Sequence, residues 1–386
     1  MGSYLQLISL VCDCELVIAK TVTFSQDQKT QSRGSAMWGR AVLVVLAAVV
    51  AACGPMAGQQ QQQLPHLGGA INLFSRYGYL SISMRVVPRE DKDLTWIFRE
   101  PTVDIFRDIS LQESVETFSD VTTSGAHVFE GDFHMEFCDN LKQLLQAYFR
   151  DFTVERLDRP WRAFTASWSR NALARHMGIN SSYVTGQHCY VLVRVARHRV
   201  SAKLGPKDPK LEPEEVVEQE VEKVKVGDAP SVNEFVRSYG SHYIASYVTG
   251  NSLYQVFVYT PPIYRTIKDR FKTRGITDLS NVELASYFSP WSAEHIGKIQ
   301  VASGNATVEG WATEHLRINF YLFTYNSLLK LHENASLLRK LDSLLRNEAL
   351  LQLNLRTLSP AFKDSVKREW FHEVMDNNLK LWEVNL

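Results

Sequence analysis

Apolar runs and period-two alternation predict β-strands in four segments, residues 79–87, 187–200, 243–259 and 316–323. These segments are rich in Val, Ile, Tyr and Phe, which suit a pleated surface. The third segment, at about seventeen residues, is roughly three times the usual strand length. Gly250 interrupts it, and a glycine inside a strand often marks a bend or bulge. We therefore expect a large sheet whose longest strand bends at Gly250.

A helical period of apolar residues predicts helices over 138–152, 263–291 and 328–358, and a last helix that begins at Ser359-Pro360. Segment 100–124 fits neither period clearly. Segment 203–230 is charged and holds four prolines, so a solvated connector is the favoured interpretation. A short exposed helix or hairpin arm over 214–225 is the alternative.

A five-residue motif lies where a predicted helix meets the longest predicted strand, and it consists of Tyr239, Gly240, Ser241, His242 and Tyr243. Upstream, Ser231 and Glu234 have the spacing of a capping box, which predicts that a helix begins at residue 232. Gly240 stands where helices commonly end in a left-handed residue. The sequence therefore predicts a helix, a glycine turn and then the long strand.

This motif resembles the signature of the membrane-attack-complex/perforin (MACPF) superfamily, in which aromatic, Gly, Thr or Ser, His and aromatic residues precede a glycine pair. Gly250 matches the first glycine of the pair, and Asn251 replaces the second. The resemblance implies an α+β fold, with a bent antiparallel sheet of about four strands flanked by two helical clusters, here 100–124 and 263–291. It covers residues 70–325, and residues 326–386 are expected to form a C-terminal helical extension.

Residues 37–58 resemble a secretory signal peptide, because a short basic segment at 38–40 precedes an unbroken apolar run over 41–53. That run is shorter than the about twenty residues that span a bilayer. A membrane anchor lengthened by flanking residues is the alternative. We expect residues 1–36 to be a non-structural upstream extension, residues 59–69 a flexible lead-in, and the protein to be secreted.

Cysteine usage fits export. Three of the five cysteines lie in or before the predicted signal peptide, which leaves Cys138 and Cys189 in the exported chain. An even pair in a secreted protein predicts one disulfide. Two buried free thiols are the alternative.

Three glycosylation sequons are consistent with the same compartment, and they begin at Asn180, Asn305 and Asn334. The first two lie in polar, glycine-containing contexts that predict surface loops. Asn334 falls inside a predicted helix, at the margin of its apolar stripe. We therefore expect glycosylation, with Asn334 the weakest of the three candidates.

The charge balance disfavours nucleic-acid binding, because 42 basic and 42 acidic residues give a net charge of zero. The sequence holds no nucleophile elbow, zinc-protease motif, phosphate loop or dinucleotide fingerprint. We expect no enzyme activity, no metal and no cofactor. His242 follows Ser241, but neighbouring strand residues point to opposite faces, so we expect a structural histidine and no nucleophile–base pair.

Pore-forming members of the superfamily extend both clusters into membrane-crossing hairpins, whose strands need about nine to eleven residues with an apolar face. In 100–124 the alternating apolar residues are compatible in part with a membrane-crossing strand, although Arg107 and Glu113 would fall on its lipid face. In 263–291 neither alternating set is apolar. We therefore expect a non-lytic protein. A pore-forming immune effector or toxin is the alternative.

Within the superfamily the chain resembles secreted insect members that act in developmental signalling. The features that carry this resemblance are the Tyr-Gly-Ser-His-Tyr form of the motif and the closing residues Leu-Trp-Glu-Val-Asn-Leu. It implies local activation of a receptor tyrosine kinase at the embryo's poles. The implied partners are the extracellular components of that receptor pathway and the egg-surface matrix or the outer face of the plasma membrane.

Overall fold

The computed structural model describes seven segments of the chain, residues 65–74, 104–118, 131–166, 168–205, 211–275, 279–332 and 334–385. The predicted upstream extension, the signal peptide, the strand over 79–87 and most of the lead-in lie outside these segments. The predictions for those residues therefore stay predictions.

The described residues contain eleven strands and eleven α-helices. The strands are β1 Ala70–Ile71, β2 Glu113–Thr117, β3 Gly131–Cys138, β4 Phe152–Val154, β5 Cys189–Leu204, β6 His242–Tyr259, β7 His295–Ile296, β8 Gln300–Val301, β9 Arg317–Phe320, β10 Phe323–Asn326 and β11 Ala349–Thr357. The helices are α1 Ile109–Gln112, α2 Leu141–Tyr148, α3 Pro160–Thr165, α4 Arg170–Met177, α5 Glu215–Lys223, α6 Ala229–Tyr239, α7 Pro261–Arg274, α8 Asn281–Tyr287, α9 Ala306–His315, α10 Ala335–Leu344 and α11 Ser365–Asn385.

Nine of the described strands form one sheet built on β5 and β6, which pair antiparallel over most of their length. β2 and β3 pair with successive parts of β5, and β11, β7 and β8 pair with successive parts of β6. β4 continues the sheet parallel to β11. The predicted α+β class is confirmed. The sheet is larger than the expected four strands, and it is mixed because of β4.

Helices cover both faces of this sheet, so β5 and β6 are apolar on both sides. On one face, Tyr190 and Leu192 of β5 lie in a core with residues from α2, α5, α6 and α11. On the other, Val191 and Val193 lie in a second core with residues from α7 to α10. This double burial explains why the two strands are so evident in the sequence.

The predicted helix over 328–358 is wrong in its second half. Leu328–Leu331 forms a 3₁₀ turn, α10 follows, and β11 then enters the sheet between β6 and β4. The leucines of β11 alternate with Gln352, Asn354 and Arg356, but this period-two pattern directly continues the leucine stripe of α10. Residues 326–386 are therefore not a separate helical extension, because β11 belongs to the central sheet.

Three other sequence interpretations need correction. Segment 316–323 is not one strand but most of a hairpin, since β9 and β10 pair with each other. The favoured solvated connector is wrong over α5, because Val217 and Val221 are buried in the core. Ser359-Pro360 opens a 3₁₀ turn, and the last helix begins at Ser365.

Helix boundaries also differ from the predictions at two places. β3 ends at Cys138, and α2 begins at Leu141 after Asn140, whose side chain accepts a hydrogen bond from the backbone of Gln143. α6 begins at Ala229, so Ser231 lies inside its first turn. The Ser231 hydroxyl donates to Asp228 O and does not cap the helix. The expected capping box is therefore wrong.

The predicted helical cluster over 263–291 is confirmed as α7 and α8. The described part of the ambiguous segment 100–124 forms α1 and the edge strand β2. Ile105, and Ile109 at the start of α1, are buried. Within the described segments, no helix is both long and apolar enough to cross a bilayer.

Candidate functional site at the sheet bend

The motif at 239–243 joins α6 to β6 through a glycine that no other residue can replace without strain. Gly240 has φ 96° and ψ 178°, an extended conformation with positive φ that only glycine adopts readily. A Cβ added there would lie 2.9 Å from the carbonyl group of Ile71 in β1. The expected positive φ at the helix end is confirmed, although the residue is extended and not left-handed helical. Tyr239 stacks on Phe235 of α6, and Tyr243 packs edge-on against Phe106.

The side chains of Ser241 and His242 touch, contrary to the sequence argument that they point to opposite faces. Ser241 Oγ lies 2.9 Å from His242 Nδ1. Strand alternation does not apply because β6 begins at His242, after the turn at Gly240. His242 Nε2 lies 3.1 Å from Glu155 O, which can only accept, so Nε2 carries the proton and Nδ1 accepts from the Ser241 hydroxyl.

This pair is sealed inside the protein, with both residues 0% exposed. Ser241 Oγ also accepts from Leu73 N, and Ser241 O accepts from Leu358 N. The Glu155 carboxylate in turn accepts hydrogen bonds from the backbone and hydroxyl of Thr357. The pair therefore ties the end of β1 and the start of β6 to the ends of β4 and β11, and the arrangement suits holding strands together.

Burial lowers the pKa of His242 from 6.5 to about 4. The contribution of the neutral His242 ring to the free energy of unfolding is therefore fully present above pH 6.5. It is lost as the pH falls toward 4, because His242 is protonated in the unfolded chain before it is protonated in the folded one. We expect a loss of about 3 kcal/mol over this range. His242→Gln keeps one donor and one acceptor, and it should flatten this part of the pH profile. Urea unfolding of both proteins between pH 7 and 4 measures the difference, and equal slopes would contradict the assignment.

The predicted irregularity at Gly250 is confirmed as a bulge between β5 and β6, but its extra residue, Arg199, lies on β5. Gly250 pairs with His198, and the register with β5 shifts between His198 and Val200. A Cβ at Gly250 would lie 2.0 Å from Arg197 O, far inside van der Waals contact. Glycine is required here because the neighbouring backbone occupies the place of a side chain.

Asn251, which replaces the second signature glycine, is 0% exposed and forms four hydrogen bonds. Its Nδ2 donates to Ser303 Oγ at 2.8 Å and to Glu348 Oε2 at 3.2 Å. Its Oδ1 accepts from the backbone N–H groups of Ser303 and Ser252. The side chain thus joins β6 to the turn after β8 and to the residue before β11.

Two arginines of β5 hold α10 against the same bulge. Arg197 is 1% exposed, and its Nε lies 2.9 Å from Asp342 Oδ1. Arg199 donates from Nε and Nη2 to Leu345 O, and from Nη2 to Asp342 O, at the C-terminus of α10. Positive charge is favourable at that end of a helix. We call Arg197, Asn251, Ser303, Asp342 and Glu348 the bend network. The sequence analysis identified none of its charged members.

The two cysteines are free thiols in the structure, and the expected disulfide is not formed. Cys138 pairs with Tyr190 across the β3–β5 ladder, so its neighbour Cys189 points to the opposite face of the sheet. Cys138 accordingly lies in one core and Cys189 in the other. Burial raises the pKa of Cys138 to about 12 and also raises that of Cys189, which keeps both protonated. The geometry thus favours the alternative of two buried thiols.

The sequons lie in different settings. Asn180 is exposed just before a short 3₁₀ turn, as predicted for a surface position. Asn305 is half-buried, and its Nδ2 donates to both oxygens of Glu348 at 3.0 Å. Asn334 is the N-cap of α10, not an interior residue, and its Oδ1 accepts from Leu337 N. Asn180 is the sequon whose amide nitrogen is most accessible for a glycan.

Among the described residues, no group of three or more His, Cys, Asp or Glu side chains is arranged to hold a metal ion. A groove of about 370 Å³ does lie between α8, the β9–β10 hairpin and α10. Its lining is mixed, with Leu284, Ile318 and Leu329 beside Lys330 and Asn334. It contains none of the signature residues.

No protein-family model and no curated protein matches this sequence. Solved structures do match. A Bacteroides thetaiotaomicron protein, described as a cell invasion protein with a MAC/Perforin domain, is 10% identical with a TM-score of 0.38 over 80% of this chain. GNIP1Aa from Chromobacterium piscinae is 11% identical with a TM-score of 0.43 over 82%. The perforin-like vertebrate membrane protein Astrotactin-2 is 13% identical with a TM-score of 0.31 over 81%.

The chain is structurally similar to perforin-like proteins. It spans 59% of the Bacteroides protein, 57% of GNIP1Aa and 96% of Astrotactin-2.

Proposed function

We propose that this chain is a secreted, non-lytic perforin-like protein of the Torso-like type, which acts in extracellular developmental signalling. In this proposal it works at the egg-surface matrix or at the outer face of the plasma membrane. It enables local activation of the Torso receptor tyrosine kinase, and so contributes to terminal patterning of the embryo. Its partners are extracellular components of that pathway, and it acts by binding, without bond-making chemistry.

The bend network is the observation that carries the non-lytic part of the proposal. It places a buried ion pair and a four-bond asparagine beside the β5 bulge that faces Gly250, where α10 and β11 meet the sheet. Opening the sheet here would separate the buried Arg197 guanidinium from the Asp342 carboxylate. Such a separation costs about 3–5 kcal/mol. The network therefore favours a sheet that keeps its folded geometry.

The surface of α7 supports the same interpretation. Tyr264 and Ile267 face the core, and the outward side is charged, with Arg265, Asp269 and Arg270 exposed. If this segment were an extended strand, the side chains on both of its faces would include charged ones. Whichever face met the lipid, each basic side chain on it would cost about 2–4 kcal/mol near the bilayer midplane. A helix packed on the sheet is the conformation that this sequence suits.

Dye release from liposomes tests the non-lytic claim. The purified exported protein is expected to leave encapsulated dye in place, whether or not it binds the vesicles. Detergent gives the full-release signal, and boiled protein gives the background. Prompt release would contradict the proposal and would favour the pore-forming alternative.

The signalling claim needs its own measurement. In cells that express Torso and secrete its ligand, the purified protein is expected to raise receptor phosphorylation. Arg237→Gln, at an exposed position of α6, serves as a folded control that should behave like the natural sequence. Unchanged phosphorylation, with the protein shown to be folded and present at the cell surface, would contradict the proposed pathway.

A further inference from the structure

The tip of the β9–β10 hairpin exposes large apolar side chains to solvent. Tyr321 is 91% exposed and Leu322 is 97% exposed. Trp291, which is 79% exposed, lies beside the hairpin with its ring centroid 5.8 Å from that of Phe323. We call these four residues the apolar tip. Contiguous exposed side chains of this kind mark an interaction surface, whereas isolated ones do not.

The backbone of the tip is strained at Tyr321. Tyr321 has φ 52° and is the first residue of the two-residue turn between Phe320 and Phe323. Turns with positive φ at that position favour glycine. Conformations of this kind cost about 1–3 kcal/mol in a non-glycine residue, and they cluster where function requires them. A tyrosine and a leucine therefore occupy the two positions that turn chemistry would give to small or polar residues.

The hairpin is uncharged along its strands and tip and carries basic residues at its base. Residues 318–329 contain no charged side chain, and Arg317 and Lys330 stand at the two ends of this stretch. Arg317 is exposed, and Lys330 Nζ donates to His315 O and Arg317 O at the hairpin base. An apolar tip above a basic base complements a bilayer, in which apolar chains lie beneath phosphate groups.

The base of the hairpin is fixed to the central sheet. Gln255 of β6 is 0% exposed, and its Nε2 donates to Asn326 O at 2.9 Å. Its Oε1 accepts from Leu328 N at 2.8 Å. Ser327 N also donates to Leu316 O. The apolar tip is therefore presented on a rigid support, as a positioned binding element requires.

We propose that the apolar tip inserts into the headgroup region of a phospholipid bilayer and holds the protein at a membrane surface. Each strand has four residues, so the hairpin reaches about 13 Å. This is too short for a membrane-crossing strand of about nine to eleven residues, but it matches an interfacial depth of about 5–10 Å. Trp and Tyr are the residues that favour this interface. The inference rests on the proposed function in that it assigns the membrane contact of the signalling protein.

Co-sedimentation with phosphatidylcholine vesicles tests the inference. The natural sequence is expected to bind, and the double variant Tyr321→Gly with Leu322→Ser should partition at least about tenfold more weakly. Glycine suits the positive φ, so this variant should unfold at the same or a higher urea concentration, which separates lost binding from lost folding. Leu381→Ser with Val384→Ser on α11 removes similarly exposed apolar groups, and it should bind as the natural sequence does.

Trp291 supplies a second readout. Its emission should shift to shorter wavelength when vesicles are added, and Trp291→Phe should remove most of that shift. Equal binding of the hairpin and α11 variants, or no vesicle binding by the natural sequence, would overturn the inference. Neither outcome bears on the dye-release result, so failure of the membrane contact is distinguishable from failure of the non-lytic proposal.

Discussion

Gly250→Ala is expected to destabilise the protein by about 3 kcal/mol or more, enough to reduce the yield of folded protein sharply. The added methyl would lie 2.0 Å from Arg197 O, and its obstacle is backbone, which cannot rotate away. Relief would require β5 and β6 to separate at the bulge, where Asn251 and Arg197 make their buried contacts. Urea unfolding of the purified variant, or its yield where it does not accumulate, measures the effect.

Gly310→Ala is the matched control. Gly310 lies inside α9, and an added Cβ there meets no atom within 4 Å. Alanine suits a helix interior better than glycine, so this variant should be more stable by about 0.5–1 kcal/mol. The same chemical change is thus expected to have opposite signs at the two positions. A loss of similar size at both would refute the requirement for glycine at the bulge.

Asp342→Leu is expected to destabilise the protein by about 3–5 kcal/mol, because it leaves the Arg197 guanidinium buried without its carboxylate. Arg197→Met with Asp342→Leu should recover part of this loss, since replacing both charges removes the isolated one. Chemical unfolding of the single and double variants gives the coupling between the two residues. Additive losses would show that the pair does not stabilise α10 through its charges.

An exposed ion pair provides the comparison. Glu234 and Arg237 of α6 lie 3.3 Å apart, with their side chains 71% and 75% exposed. Water screens such pairs, so Glu234→Gln should change the free energy of unfolding by about 0.5 kcal/mol or less. A large effect there would mean that burial does not explain the importance of Asp342.

The sequence predicts the central strands and the cluster after β6 well, because their patterns are local. β5 and β6 are continuous apolar runs, and Pro261-Pro262 opens α7 where the strand signal ends. The sequence does not reveal β11, because it begins only three residues after the leucine stripe of α10 ends, and none of these, Arg346, Asn347 and Glu348, breaks a helix. Local pattern alone does not separate an apolar helix from a buried strand when no glycine or proline stands between them.

In the candidate site, the sequence predicts the backbone roles of Gly240 and Gly250 and a structural role for His242. The bend network, by contrast, is assembled from distant segments. Asn251 and Ser303 are 52 residues apart, and Asn251 and Glu348 are 97 apart. The three arginines in the apolar strand β5 were the available signal, because arginine is rarely buried without a partner. Identifying that partner required the fold.

The place of β11 between β6 and β4 has a consequence for how the protein is made. Synthesis proceeds from the N-terminus, so residues 242–250 of β6 lack their β11 neighbour until residues 349–357 have been made. For that period the nascent chain carries an open strand edge, which is prone to pairing with other chains. The sheet closes only when about nine-tenths of the polypeptide is present. Premature termination after β6 and before β11 therefore yields an aggregation-prone fragment, and not a smaller working domain.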